Sequence, residues 1–161
     1  MPKRLSNAQR ERFLSGRHVA VLVTIGTDGR PVPTPIWYLY RDGLFYLRTA
    51  ADAAKVENIR RDGRVSICIQ DERAPYRAVV VHGTAEVREG LDWLAVEMPR
   101  HYLGLIGSIG YRITARRAIE QDPDVALVVR PERVASFDYA AETPLVGRVW
   151  LLLRRMLPPW L

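Results

Sequence analysis

Residues 18–50, "HVAVLVTIGTDGRPVPTPIWYLYRDGLFYLRTA", carry the pattern that decides the fold. Apolar and β-branched runs cover residues 19–25, 32–40 and 44–49, and the turns "TDGR" and "RDG" separate them. An Asp-Gly pair between apolar runs is a strong hairpin signal, because glycine tolerates the positive φ that such turns need. The stretch therefore predicts three consecutive antiparallel strands.

Three prolines alternate along the second of these strands, at Pro31, Pro33 and Pro35. Alternation places their missing N–H groups on one side of the strand, where a neighbouring strand could not pair fully. The pattern predicts either a strand at the edge of the sheet or a strand whose backbone faces a ligand.

The rest of the chain predicts further strands, with helices in two of the connections. Helices are expected over residues 5–14, 52–61, 90–104 and, weakly, 112–121, and strands over 65–70, 78–87 and, in two pieces broken at Pro131, 125–139. Gly83, inside one of these strands, indicates a bulge or a close backbone approach. The order favours a mainly β protein with α elements, an antiparallel barrel with peripheral helices.

Length and charge limit the classes of protein. The 161 residues predict one domain over 1–144 followed by an apolar, basic tail over 145–161. The formal charge of +6 favours an anionic partner but does not choose among a phosphorylated small molecule, nucleic acid and a membrane. One cysteine, no signal-peptide pattern and no stretch of ~20 apolar residues together predict a cytoplasmic protein.

Metal and nucleophile chemistry are not favoured. The three histidines, His18, His82 and His101, lie far apart in the sequence and in no ligand spacing. The sequence holds no G-x-S-x-G and no glycine-rich phosphate loop between a strand and a helix. Basic residues are not interleaved with aromatic ones along a strand, so nucleic acid is not expected as a ligand. The histidine spacing likewise gives no reason to expect a bound metal.

A cationic segment follows the third strand. Lys55 stands near the start of the helix predicted over 52–61, six residues after Thr49 at a strand end, and Asn58 and Arg61 follow it. The N-terminus of a helix attracts phosphate through its unpaired N–H groups and its partial positive charge. Two interpretations stay open at this point, a solvated helix face and a seat for an anionic cofactor.

Aromatic residues lie on the proline-rich strand, with Trp37 directly after "TPI" and Tyr38 and Tyr40 beyond it. A flat redox-active ring needs an apolar wall for one face and backbone groups for its polar edge, and such a strand supplies both. The alternative is that Trp37 belongs to the core.

Taken together, these motifs resemble the flavin/deazaflavin oxidoreductase superfamily of split β-barrels, whose founding members are the pyridoxamine 5′-phosphate oxidases. "TPIW", the following Thr49 and Lys55, "NIRRDGR" and "HYLG" are similar to the pattern of its F420-dependent branch. Oxidases of the pyridoxamine type carry an Arg at the position of Pro33 and a Lys near Tyr38. Both are absent here, which favours F420 over FMN.

The resemblance implies a split β-barrel homodimer with F420, or alternatively FMN, at the dimer interface. The residues that it assigns to the cofactor are Thr34, Pro35, Ile36, Trp37, Thr49, Lys55, Asn58, Arg60 and Arg61. Lys55 would be the phosphate ligand with Thr49 beside it, and residues 34–37 would run along the ring system. The other three would contact the phosphate or the acidic tail of F420.

The activity implied by this resemblance is hydride transfer between the cofactor and a small organic substrate; an FMN-dependent oxidoreductase and a non-catalytic carrier are the alternatives. Tyr38, Tyr102 and His101 are candidate proton donors, and none is preferred. The tail contains Arg148, Arg154 and Arg155 among Leu, Val, Trp and Met. It predicts either a helix at a membrane surface or a segment packed on the dimer partner.

Overall fold

The computed structural model describes residues 3–74, 76–121 and 124–139, which form three helices and seven strands. The elements are α1 (Asn7–Leu14), β1 (Ala20–Ile25), β2 (Pro31–Ile36), β3 (Tyr38–Arg41), β4 (Leu44–Ala50), α2 (Ala54–Arg61), β5 (Arg64–Gln70), β6 (Arg77–Arg88), α3 (Trp93–Gln121) and β7 (Asp124–Asp138). All the strands belong to one antiparallel sheet in the order β2-β1-β5-β6-β7-β4-β3. The expected mainly β architecture is confirmed.

The two edges of this sheet are joined by a single residue. β2 and β3 lie at opposite ends of the strand order, yet only Trp37 separates them in the chain. A sheet whose edges are covalently this close must curl until they meet. The result is a curled half-barrel, which confirms the expected split β-barrel.

The prediction of a single strand over residues 32–40 is wrong, because this stretch forms two strands, β2 and β3. β2 pairs with β1 up to Ile36, and β3 pairs with β4 from Tyr38 onward. The chain changes partner at Trp37, and no local sequence signal marks such a change.

The alternating prolines lie on an edge strand, as expected. Pro31, Pro33 and Pro35 fall opposite Ile25, Val23 and Val21 of β1, and β2 has no neighbour on its other side among the described strands. Because proline has no N–H group, the positions between the prolines must donate the hydrogen bonds to β1. The outer edge of β2 therefore offers carbonyl groups at the prolines and lacks their N–H groups.

The interior of the half-barrel is apolar. Its largest fully buried side chains come from six of the strands and from α2, and include Leu22, Phe45, Leu47, Ile67, Val81, Leu127 and Val56. Each such side chain contributes roughly 1.5–3 kcal/mol to folding by leaving water. A second, smaller cluster, around Leu94, Met98 and Ala126, packs α3 against the outside of β7 and its neighbours.

α3 differs from its prediction. The sequence predicts separate helices over 90–104 and 112–121, whereas helical structure spans Trp93–Gln121, with Gly104 non-helical at φ 72° and ψ −175°. Gly104 therefore divides α3 into a first segment, 93–103, and a second segment, 105–121. The residues missed by periodicity, 105–111, include Leu105, Ile106 and Ile109, which point to solvent and so do not follow the pattern of a helix packed on a core.

β7 also differs, because it continues through Pro131 where the sequence predicts a break. Pro131 lies opposite Gly83, where the register shifts between His82 and Gly83. The register skips Glu132 of β7, so the ladder is interrupted directly beside Pro131, and proline is tolerated there. The expectation that Gly83 marks a bulge or a close backbone approach is confirmed.

The boundary expected at residue 144 and the tail over 145–161 lie outside the described residues, and both stay predictions. Within the described part of the chain, none of the helices has the length and apolar character needed to cross a membrane.

Replacing Gly83 with alanine is expected to destabilise the protein. A Cβ atom at this position would lie 2.1 Å from the backbone oxygen of Arg130, so β6 and β7 would have to separate locally. We expect the free energy of unfolding in urea to fall by about 1–3 kcal/mol, the usual cost of forcing extra volume into packed structure.

Gly110→Ala is the matched control, because a Cβ atom there meets nothing within 4 Å and the position is helical. The control is expected to leave stability unchanged or raise it by up to about 1 kcal/mol. Equal stability of Gly83→Ala and the parent protein would show that the two strands are not in close contact at this point.

Candidate functional site

Lys55 and Thr49 are in direct contact. The Nζ atom of Lys55 donates a hydrogen bond to Oγ1 of Thr49 at 3.2 Å, and both side chains are half-buried. Thr49 lies near the end of β4, and Lys55 lies on the first turn of α2. Ala53 is the N-cap of α2, and no side-chain hydrogen bond caps it in the described structure. The ammonium and the hydroxyl thus lie together in the region of the N-terminus of α2.

Asn58 is engaged inside the protein. It is 6% exposed, its Nδ2 donates to Oγ1 of Thr24 at 3.0 Å, and its Oδ1 accepts from Nη2 of Arg61 at 3.3 Å. Arg61 also donates to the backbone oxygen of Ile25. These bonds attach the second half of α2 to the end of β1. The side chain of Asn58 therefore has a structural use that the sequence does not reveal.

Arg60 lies on a different side of α2. Five residues separate it from Lys55, which corresponds to about 140° around the helix axis. Arg60 is exposed and lines an open groove with Ile59, Ala85, Glu86, Val87 and Glu89. The carboxylates of Glu86 and Glu89 make this groove unfavourable for an anion. Because of the angle around the helix, the structure does not bring Arg60 together with Lys55.

Trp37 is half-buried and stacks on Tyr102. Their ring centroids are 4.6 Å apart with an interplanar angle of 5°, and the ring of Tyr111 lies 6.2 Å away in a tilted orientation. Trp37 therefore takes part in packing α3 against the sheet. This favours the core interpretation for the ring face that Tyr102 covers.

The hydroxyl of Tyr102 bridges the split of the barrel. It accepts a hydrogen bond from the backbone N–H of Tyr38 at 3.1 Å and donates to the backbone oxygen of His18 at 2.7 Å. Tyr38 begins β3, and His18 shortly precedes β1. One hydroxyl thus holds the start of the edge strand β3 to the segment before β1, and burial raises the pKa of Tyr102.

The structure gives no support to the three candidate proton donors. Tyr38 is 1% exposed and packs against Phe45, and burial strongly raises its pKa. Tyr102 is committed to backbone groups, and Nε2 of His101 lies 3.2 Å from the backbone oxygen of Gly16. None of their described contacts involves Thr49 or Lys55.

The pairing of β3 with β4 begins at Tyr38, which lies opposite Leu47, and β4 continues past that point to Thr49. β2 pairs with β1 instead, so no strand pairing relates residues 34–36 to Thr49. Thr34 is half-buried, Pro35 is exposed, and Ile36 packs against the main core. The described contacts therefore do not join residues 34–36 to the Thr49–Lys55 pair.

Two pairs of polar residues were missed at the sequence level. Arg48 and Asp124 form an ion pair, with side chains 11% and 22% exposed, beside a cavity of about 200 Å³. On the outside of the sheet, Oγ of Ser66 lies 2.8 Å from Nδ1 of His82. Only strand register reveals such pairs, because their members are far apart in the chain. Among the residues described, no group of three or more His, Cys, Asp and Glu could hold a metal.

Comparison with known proteins gives consistent matches. The family model described as pyridoxamine 5′-phosphate oxidase matches residues 6–138. The crystal structure of the conserved hypothetical protein Rv2991 from Mycobacterium tuberculosis is 30% identical, with a TM-score of 0.69, over 84% of this chain and 86% of that chain.

Two further solved structures share the fold at lower identity. One is named F420 reductase, 21% identical with a TM-score of 0.60, and the match covers 77% of this chain and 94% of that one. The other is a FAD-binding protein from Mesorhizobium loti, 21% identical with a TM-score of 0.61, over 84% and 96% of the two chains.

Replacing Tyr102 with phenylalanine is expected to loosen the split. The change leaves the ring and its stack on Trp37 but removes the hydroxyl, so the backbone N–H of Tyr38 loses its partner. We expect the free energy of unfolding to fall by about 1–3 kcal/mol, the cost of an unsatisfied buried donor.

Tyr40→Phe is the control, because the hydroxyl of Tyr40 donates only to exposed Glu11, at 3.2 Å. It should cost clearly less than Tyr102→Phe in the same urea denaturation experiment. Equal losses in the two variants would mean that Tyr102 does not hold the edges together.

Proposed function

The chain belongs to the pyridoxamine 5′-phosphate oxidase family, and on this premise we propose that it is an oxidoreductase that binds coenzyme F420. The cofactor would supply hydride transfer to or from a small organic substrate. The observation that carries the proposal is the contact of Lys55 with Thr49 at the N-terminus of α2.

The donors at this place suit a phosphate group. The ammonium of Lys55 has three hydrogens, and Thr49 accepts one of them, which leaves two for an anion. The hydroxyl of Thr49 and the N–H groups of Ala54 and Lys55 are further donors, since the N–H of Val56 already donates to the backbone oxygen of Ala53, and the helix dipole adds partial positive charge. Hydrogen bonds from such charged groups to phosphate are among the stronger ones in proteins.

The edge of β2 suits the polar rim of a flat ring system. Its outer side offers carbonyl groups at Pro33 and Pro35, which can accept hydrogen bonds from ring N–H groups. Pro35 and Ile36 come just before Trp37, the residue that joins β2 to β3. We infer, as the resemblance implies, that a ligand with its phosphate at Lys55 has its ring along residues 34–37.

Oxidases of the pyridoxamine type carry an Arg at the position of Pro33 and a Lys near Tyr38. Here Pro33 lies on the edge strand, and Tyr38 is buried in the core. Because both cations are absent, F420 is preferred to FMN. FMN stays the alternative cofactor. A non-catalytic carrier is the second candidate function, and the observation that favours it is the engagement of Tyr38, Tyr102 and His101 in packing or backbone contacts.

We also propose that the protein is a homodimer through the outer face of β1, β5 and β6. Pro35, Val21, Cys68, Val80 and Ala135 lie side by side in one row across five strands. The outer face of an antiparallel sheet is usually polar when water covers it, so this apolar row suits a second copy. Because Pro35 belongs to the row, the cofactor would lie at the interface. A cytoplasmic location stays a prediction.

Lys55→Ala is expected to weaken cofactor binding. Loss of a charged hydrogen bond to phosphate costs about 1.5–3 kcal/mol, which corresponds to roughly 10–150-fold in the dissociation constant. Spectroscopic titration with F420 and separately with FMN measures the effect and shows which cofactor binds more tightly.

Arg30→Ala is the control for this titration, since Arg30 has an 84% exposed side chain in the turn between β1 and β2. It removes the same charge and should leave affinity unchanged. Equal affinity of Lys55→Ala and the parent protein would remove Lys55 from the site. If F420 binds tightly but its reduced form is not oxidised by a panel of enones and quinones, the carrier function is favoured.

The dimer is tested by light scattering. The parent protein is expected at twice the chain mass of 18.4 kDa, and Val80→Asp is expected to shift it toward the monomer, because a carboxylate in an apolar interface is costly. Val96→Asp, at a 43% exposed position on α3, is the control and should stay dimeric. A monomeric parent protein would contradict the proposal.

A further inference from the structure

The second segment of α3 exposes an apolar stripe. Four apolar residues lie on one face of this segment, and all four are exposed. They are Leu105 at 63%, Ile106 at 87%, Ile109 at 54% and Ile113 at 71%. On the other side of the segment, Ser108 is buried, and the ring of Tyr111 approaches Trp37. The helix therefore packs by its Ser108–Tyr111 side and presents its isoleucines outward. Contiguous exposed apolar surface of this kind marks a site of interaction.

The charge around this stripe is mainly positive. Residues 98–121 contain Arg100, Arg112, Arg116 and Arg117 and one acidic residue, Glu120. Residues 143–161 contain Arg148, Arg154 and Arg155 and no acidic residue. Seven of the 24 basic residues and one of the 18 acidic ones lie in these stretches, so the rest of the chain holds 17 of each. The positive excess of the protein is therefore concentrated in these two stretches.

We propose that the stripe of Leu105, Ile106, Ile109 and Ile113 docks on an anionic lipid bilayer. An apolar face on a helix that carries an excess of arginines is a feature of helices that lie in a membrane interface. The apolar side chains enter the boundary of the acyl chains, and the net positive charge of the segment attracts the anionic lipid phosphates.

The charges argue against other occupants of the stripe. A second copy meeting the first through α3 would bring the same arginines together, and like charges across an interface are unfavourable. The tail over 145–161 carries three further arginines, so it also lacks charges complementary to α3. An anionic bilayer neutralises both segments at once.

Vesicle sedimentation with the full chain tests this proposal. We expect the protein to sediment with mixed phosphatidylglycerol–phosphatidylcholine vesicles and not with phosphatidylcholine alone, and to be released as NaCl is raised. The double variant Ile106→Asp, Ile113→Asp is expected to lower the partition coefficient at least about ten-fold.

The matched control is Tyr76→Asp with Val96→Asp, because both positions are exposed, at 54% and 43%, and the change in charge is the same. It should keep most of the binding, since the general electrostatic attraction is altered equally in the two double variants. Circular dichroism melting curves check that both remain folded.

Three results would overturn the proposal. The parent protein could fail to bind the anionic vesicles, or the stripe variant could bind them as tightly as the control does. The third result combines two measurements. The parent protein does not bind vesicles, and light scattering shows that the stripe variant becomes monomeric while the control does not. This result would assign the stripe to a second copy of the chain.

Discussion

β2 and β3 are consecutive strands at opposite edges of one sheet, and this covalent constraint bends the whole structure. Since only Trp37 joins them, the sheet has to curl around an apolar interior instead of lying flat. The hydroxyl of Tyr102 then holds the start of β3 to the segment before β1 by bonding the backbone of Tyr38 and His18. α3 is held at the split by the same residue, whose ring stacks on Trp37.

The candidate site lies where β4 is followed by α2. Lys55, on the first turn of α2, contacts Thr49 near the end of β4. Asn58 and Arg61 attach the other end of α2 to β1, so the helix is fixed at both ends. The second segment of α3 serves two surfaces, with Tyr111 toward Trp37 and the isoleucines toward solvent.

Much of the local structure could be predicted, because it depends on short-range effects. The Asp-Gly turns, the alternating apolar residues and the alternating prolines gave the first strands and the edge position of β2. Three local predictions were wrong or incomplete for one reason, which is that packing between distant elements overrode local preference. Pro131 is accommodated by the bulge at Gly83, Trp37 marks a change of partner strand, and residues 105–111 are helical without a buried face.

By itself, the sequence determined the mainly β class, the family resemblance and the pairing of Thr49 with Lys55, because turn chemistry, periodicity and a six-residue spacing are properties of the chain alone. Only the tertiary structure decided how Asn58, Arg60 and Tyr102 are used. Asn58 is buried between α2 and β1, Arg60 lines a groove that two glutamates also line, and the hydroxyl of Tyr102 bonds two backbone groups. Such partners come from residues more than twenty positions away, and they meet only when the sheet closes.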